Sequence, residues 1–129
     1  MVRVNRETYE RFIGHSIDYK QSKYHNKKVE YNGMKFDSRK EYAYYTKLKL
    51  LEQVGEISAL KRQVPFLLLE TVKLNDKTYR QTKYIADFTY LDKNGKLHVI
   101  DVKGVKTQVY QLKKKLMAWK YGIEIEEIW

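Results

Sequence analysis

Hydrophobic and polar residues change their spacing several times along this chain, and each change marks an element. The opening is polar and basic. "RETYERFIG" offers only a short, weakly amphipathic helix and "SIDYKQSKYHNKK" little periodicity, so residues 1–25 read as a basic N-terminal arm or short helical extension. Residues 26–129 read as one domain. It begins with "KKVEYNGMKF", where Asn32-Gly33 between two alternating runs predicts a β-hairpin with a two-residue turn. In "DSRKEYAYYTKLKLLEQVGEI", Ser38 followed by Glu41 is a capping box, in which hydroxyl and carboxylate satisfy the orphaned N–H groups of a helix start. Tyr45, Leu48 and Leu51 or Glu52 continue the face begun by Glu41, and Gly55 suits the helix stop.

"EISALKRQVPFLLLETVKL" reads as one or two strands with Pro65 at a break, followed by a turn at "NDK". "YRQTKYIADFTYLD" turns at "KNG" into "KLHVIDVKG", which predicts an antiparallel pair. The period then lengthens. In "TQVYQLKKKLMAWKYG", Val109, Leu112, Leu116 and Trp119 share one helical face, expected to turn inward, which leaves Lys113 and Lys114 outward; Gly122 ends the helix. "IEIEEI" supplies a last strand. Helix, three or more strands, helix and strand, in that order, predict an α/β (α+β) sandwich with a mixed central sheet.

Composition sharpens this picture. A chain of 129 residues, 43% hydrophobic and 33% charged, has enough apolar matter for one globular core. Cysteine is absent, which excludes disulfides, thiolate metal sites and a cysteine nucleophile. The N-terminus lacks the apolar region of a signal peptide, and stretches such as "VPFLLL" are too short to span a bilayer, so the expected location is cytoplasmic and no membrane partner is expected. Against 16 Asp and Glu stand 26 Lys and Arg, a net charge of +10 that favours a polyanionic partner, nucleic acid first. Twelve Tyr add aromatic faces of the kind that stack on bases.

Two charges interrupt the apolar run of "KLHVIDVKGVK". On a strand, Leu97, Val99, Asp101 and Lys103 share one face, with Asp101 and Lys103 about 6.6 Å apart. Ile85, Asp87 and Thr89 share a face of the preceding strand; set beside the Asp101 face, they bring two carboxylates and an ammonium together. Buried charges must be paired or hold a cation. Two carboxylates suit Mg²⁺ or Mn²⁺, whose shell water and substrate phosphate complete, and Lys103 is placed to stabilise phosphate charge or orient water. Glu41 offers a third carboxylate. Each residue also has a plainer reading: Asp101 with Lys103 as a strand salt bridge, Asp87 as a loop cap or bridge, Glu41 as the capping-box acid, and Lys113–Lys115 as a solvated face. The three His show no metal-ligand spacing, and "VKGVKT" lacks the spacing of a phosphate loop.

Taken jointly, a helix Glu, a strand Asp, Asp-x-Lys on the next strand and a basic helix resemble the PD-(D/E)XK nuclease superfamily. That resemblance implies a restriction-endonuclease-like core of helix, three-strand meander, helix and strand. It makes Glu41, Asp87, Asp101 and Lys103 catalytic, and Glu41, Asp87 and Asp101 the ligands of Mg²⁺ or Mn²⁺. Ala86 stands where the Pro of the motif's name would be. More narrowly, the blocks "KKVEYNGMKFDSRKEYAYY", "LKLLEQVGEI", "QVPFLL", "YIADFTYLDKNGKLHVIDVKGVKT" and "KKKL" look like a family of small phage-encoded proteins of unassigned function, over about Lys23 to Trp129. The resemblance implies an endonuclease acting on branched or replicating phage DNA, like a Holliday-junction resolvase, in the host cytoplasm. The same fold also accommodates a non-catalytic DNA-binding or replisome-adaptor protein, and homodimerisation is compatible with either. Lys106, Lys113 and Lys114 are the expected DNA contacts.

Overall fold

Asn32 and Gly33 both take positive φ, 48° and 77°, as a two-residue hairpin turn requires. They join strands β2 (Lys27–Tyr31) and β3 (Met34–Phe36), and β2 pairs on its other side with β1 (Asp18–Gln21). A computed structural model of the chain describes residues 18–21 and 27–129. The helix expected at "RETYERFIG" lies outside the described residues. Backbone proximity divides the chain into two units, residues 1–60 and 61–129.

In the first unit, helix α1 spans Arg39–Gln53, and the Glu41 N–H donates to Ser38 Oγ at 3.1 Å, one half of the expected capping box. Its buried residues are Glu41, Tyr42, Thr46, Leu48 and Leu51, with Tyr45 half-buried at the edge of that face. Phe36 packs edge-on against Tyr42, their ring centres 5.1 Å apart, and Val29 completes the core beside them. Gly55, at φ 82°, turns the chain after the helix as expected.

The boundary between the units falls within β4 (Ser58–Leu69), which contains Pro65 instead of breaking there. β4 is an edge strand, the place in a sheet where proline is tolerated because outward-facing N–H groups have no ladder partner. Beyond it come the hairpin β5 (Val72–Leu74) and β6 (Lys77–Tyr79), then β7 (Thr82–Leu91) and β8 (Leu97–Val102). β7 and β8 are antiparallel from Leu91–Leu97 to Phe88–Ile100. Helix α2 (Gln108–Tyr121) then carries the chain back to β9 (Glu126–Ile128), which runs parallel to β8. The sheet order is β4-β7-β8-β9, a mixed sheet in an α+β chain. Leu68, Tyr84, Ala86, Val99, Tyr110, Met117 and Ile125 form the second unit's core.

The inward face of α2 differs from the expected one at three of its four positions; Leu116 is half-buried and packs against this core as expected. Val109, Leu112 and Trp119 are 64%, 58% and 75% exposed, whereas Tyr110 and Met117 are buried. Tyr110 and Met117 are two turns apart, so Lys113 and Lys114 fall between them on the same side and are half-buried, not turned outward. The helix carries apolar side chains on two faces, and its docking is decided by tertiary anchors that periodicity does not count. Thr107 caps it by accepting the Tyr110 N–H at 3.0 Å, and the Tyr110 hydroxyl donates to Glu127 at 2.8 Å.

Candidate active site

Asp101 is 6% exposed on β8, and each of its carboxylate oxygens has a donor. Lys103 Nζ lies 2.9 Å from Oδ1, and the Tyr84 hydroxyl donates to Oδ2 at 2.6 Å. The ammonium also stands 3.3 Å from the centre of the Tyr110 ring, whose negative face attracts it. The Lys103 N–H donates to the Ile128 carbonyl at 2.8 Å, which extends the pairing with β9 and fixes the lysine backbone. With side chains only 9% and 13% exposed, Asp101 and Lys103 are no ordinary surface ion pair.

Asp87 is held differently. In the Phe88–Ile100 register, strict alternation puts Thr89, Asp87 and Ile85 on the Val99–Asp101 face and Ala86 on the other. Instead, Tyr84 and Ala86 join Val99 in the core, and Tyr84 reaches Asp101. Alternation therefore slips by one residue near Asp87, as at a β-bulge. The Val102 N–H, which an unbroken ladder would give to a β7 carbonyl, donates to Asp87 Oδ2 at 2.8 Å. The expected Ile85–Asp87–Thr89 face does not form beside Asp101; Tyr84 takes the place expected of Ile85, while the Asp87 carboxylate still lies one residue along β8 from Asp101.

Glu127 completes the arrangement from β9, where it is the register partner of Asp101. Its Oε2 accepts the Tyr110 hydroxyl, and its Oε1 meets Lys114 at 3.1 Å and Lys106 at 3.3 Å. Burial alone would push this carboxyl up, but the Tyr110 hydroxyl and the two ammonium groups hold it down at about 2. Burial first, and then the neighbouring carboxylates, push the Tyr84 and Tyr110 hydroxyls well above the ordinary tyrosine range, so both remain donors. Tyr84, Asp101, Lys103, Tyr110 and Lys113 line an open cavity of about 300 Å³, together with Lys83, Ile85, Thr107 and Val109.

Residues 21–129 match the family model described as "Protein of unknown function (DUF1064)". The chain belongs to this family. No curated protein and no solved structure matches it.

Of the residues expected to act in this DUF1064 chain, the second unit brings together Asp101, Lys103 and Lys113, with Asp87 adjacent along β8. Lys106 and Lys114 meet at Glu127. Glu41 belongs to the first unit, where the residue is buried at 3% exposure, deeper than a capping box alone demands. Among the described residues, no three His, Asp or Glu side chains gather into a metal-holding set. Asp87 with Asp101 nevertheless fits the donor chemistry of Mg²⁺ or Mn²⁺: such ions take one or two carboxylates and complete their shells with water and phosphate, and each Asp101 oxygen keeps a second lone pair. Sequence reasoning missed Tyr84, Tyr110 and Glu127. Glu127 left a signal, since it shares strand parity with buried Ile125 in "IEIEEI".

Proposed function

We propose that this chain is a divalent-metal-dependent endonuclease that hydrolyses DNA phosphodiester bonds, with Asp87, Asp101 and Lys103 at its centre. One observation carries the reading: a buried carboxylate and a half-buried ammonium, 2.9 Å apart, line a cavity open to solvent in a chain of net charge +10. The element order α1, β4, β7, β8, α2, β9 and the sheet order β4-β7-β8-β9 support a PD-(D/E)XK core. Branched or replicating DNA as substrate rests on the resemblance alone.

In this reading Asp87 and Asp101 hold Mg²⁺ or Mn²⁺, which when bound supplies Lewis-acid polarisation of the phosphate. Tyr84 keeps Asp101 oriented by its hydrogen bond. The Lys103 ammonium, fixed between Asp101 and the Tyr110 ring, stabilises charge that develops on a phosphate oxygen in the transition state. Lys83 and Lys113, at the same cavity, neutralise flanking phosphates. Glu41 enters as the resemblance's helix acid.

A second reading has its own support. Both Asp101 oxygens already carry protein donors, as in a polar cluster that is internally satisfied, and this favours a non-catalytic DNA-binding or replisome-adaptor protein that keeps the fold. Labelled four-way junction, flap, duplex and single-stranded DNA, each with Mg²⁺, Mn²⁺ or chelator, separate the two. Metal-dependent cleavage that Asp101→Asn abolishes upholds the nuclease; binding without cleavage of any substrate establishes the second reading.

A further inference from the structure

Among the described residues, the β5–β6 hairpin has no packing role that accounts for its composition. Every residue from Thr71 to Gln81 is exposed, and the two strands form a sheet of their own. Val72 pairs with Tyr79 and Leu74 with Lys77, so alternation sets these four on one face and the Lys73–Thr78 pair on the other. Val72, Leu74 and Tyr79 are 54%, 59% and 54% exposed. An isolated two-stranded ribbon is marginal in water, and large apolar side chains held outward on one mark a surface that meets something else. Local geometry holds this ribbon in shape. Asn75 and Asp76 take positive φ, 50° and 62°, at its tip, and Gln81 N–H donates to Thr71 Oγ1 at 3.2 Å across its base.

Its chemistry and position name the partner. Lys73, Lys77 and Arg80 stand on the hairpin against Asp76 at its tip and Glu70 before its base, and the series continues to Lys83. Lys83 lines the cavity of Asp101 and Lys103, and the next residue is Tyr84, the donor to Asp101. The ribbon is thus continuous with the strand that builds the cavity, and Lys77 stands about 20 Å along the chain from Lys83 at the rise of an extended strand. A major groove admits a two-stranded ribbon, its phosphates take Lys and Arg, and its thymine methyls and sugars take apolar side chains.

We propose that the β5–β6 hairpin is a duplex-DNA arm that engages a groove beside the cavity, so that double-helical DNA is the preferred substrate form. The inference rests on the reading that the cavity acts on DNA. It is tested by binding, not cleavage. In chelator, the full chain and its Lys73→Ala/Lys77→Ala/Arg80→Ala variant are titrated with labelled duplex and single-stranded DNA of one sequence over a salt series. A second variant, Val72→Thr/Leu74→Thr/Tyr79→Thr, keeps the charge and strand propensity while removing the apolar face, and circular dichroism verifies folding of both. The charge variant should lose at least about tenfold in duplex affinity and lower the slope of log affinity against log salt by about 0.9 for each phosphate it no longer neutralises, with single-strand affinity unchanged. The apolar variant should weaken duplex binding with the slope kept. Unchanged duplex binding in both variants, or equal losses on duplex and single strand, overturns the arm while leaving the cavity's activity to the cleavage panel. A wild type that binds neither DNA overturns both.

Discussion

The Tyr84 hydroxyl lies 2.6 Å from Asp101 Oδ2, joining β7 to β8 beyond the point where their backbone pairing reaches its last pair, Phe88–Ile100. This bond links the two strands where alternation slips, and both partners are buried, at 3% and 6% exposure. Tyr84→Phe keeps the ring against Phe66 and Tyr110 but removes the donor from a charged acceptor. Such a loss costs about 1.5–3 kcal/mol, read as a lower midpoint in urea with unchanged slope. Stability equal to wild type would show that the bond is not a net contributor.

Asp87 and Asp101 bring negative charge to one stretch of β8, and a bound divalent ion would stabilise the folded chain by mass action. Millimolar Mg²⁺ or Mn²⁺ should raise the melting temperature of the wild type but not of Asp101→Asn, which keeps the side-chain shape without its charge. Equal responses of the two proteins would exclude Asp101 as a metal ligand.

Glu41→Gln tests the role that the nuclease reading gives to Glu41. The Glu41 N–H bond to Ser38 does not involve the side chain and glutamine keeps its shape, so the helix start should survive while cleavage falls if the carboxylate acts as the nuclease reading has it. Full cleavage would return Glu41 to a structural role.

What was legible in the sequence was local. Asn32-Gly33, Ser38 with Glu41, Gly55 and Gly122 announce turns and caps through backbone chemistry that neighbours a few residues away satisfy. Asp101 and Lys103 stood out because charge interrupts an apolar strand. The faces of β7 and α2 were not legible: the first depends on a one-residue slip at Asp87, the second on Tyr110 reaching Glu127 across 17 residues. Strict periodicity assigns Ile85 and Val109 where packing chooses Tyr84 and Tyr110.

His98 ties the β7–β8 hairpin to β9, with Nε2 2.8 Å from Asp92 and Nδ1 2.6 Å from Glu126, and its ring stacked on Tyr90. Burial pulls its pKa down, but the two carboxylates outweigh burial and raise it above the ordinary 6.5. A folded-state pKa above the unfolded one gives stability that is fully present below pH 6.5 and is lost as pH rises through the folded value. From pH 6 upward, the melting temperature of the wild type should therefore fall relative to His98→Gln, which does not titrate. Parallel pH profiles would show that the imidazole contributes no linkage.

Lys106, Lys113 and Lys114 are alike in sequence but not in setting. Lys113 lines the cavity, whereas Lys106 and Lys114 approach the same Glu127 oxygen. Lys113→Ala should therefore weaken DNA binding and lower the salt slope by about 0.9, with folding stability within about 0.5 kcal/mol of wild type. The Lys106→Ala/Lys114→Ala pair should act on the fold as well. Glu127, held at about 2 against an ordinary 4.5, contributes stability that is present above pH 4.5 and lost as pH falls toward 2. Removing both ammonium groups lets its carboxyl rise, so the double variant should lose stability at neutral pH and show a shallower decline between pH 4.5 and 2. An acid profile that runs parallel to the wild type would mean that the Tyr110 hydroxyl alone holds Glu127 down. Loss of DNA binding in the double variant but not in Lys113→Ala would move the phosphate path from the cavity to the Glu127 cluster.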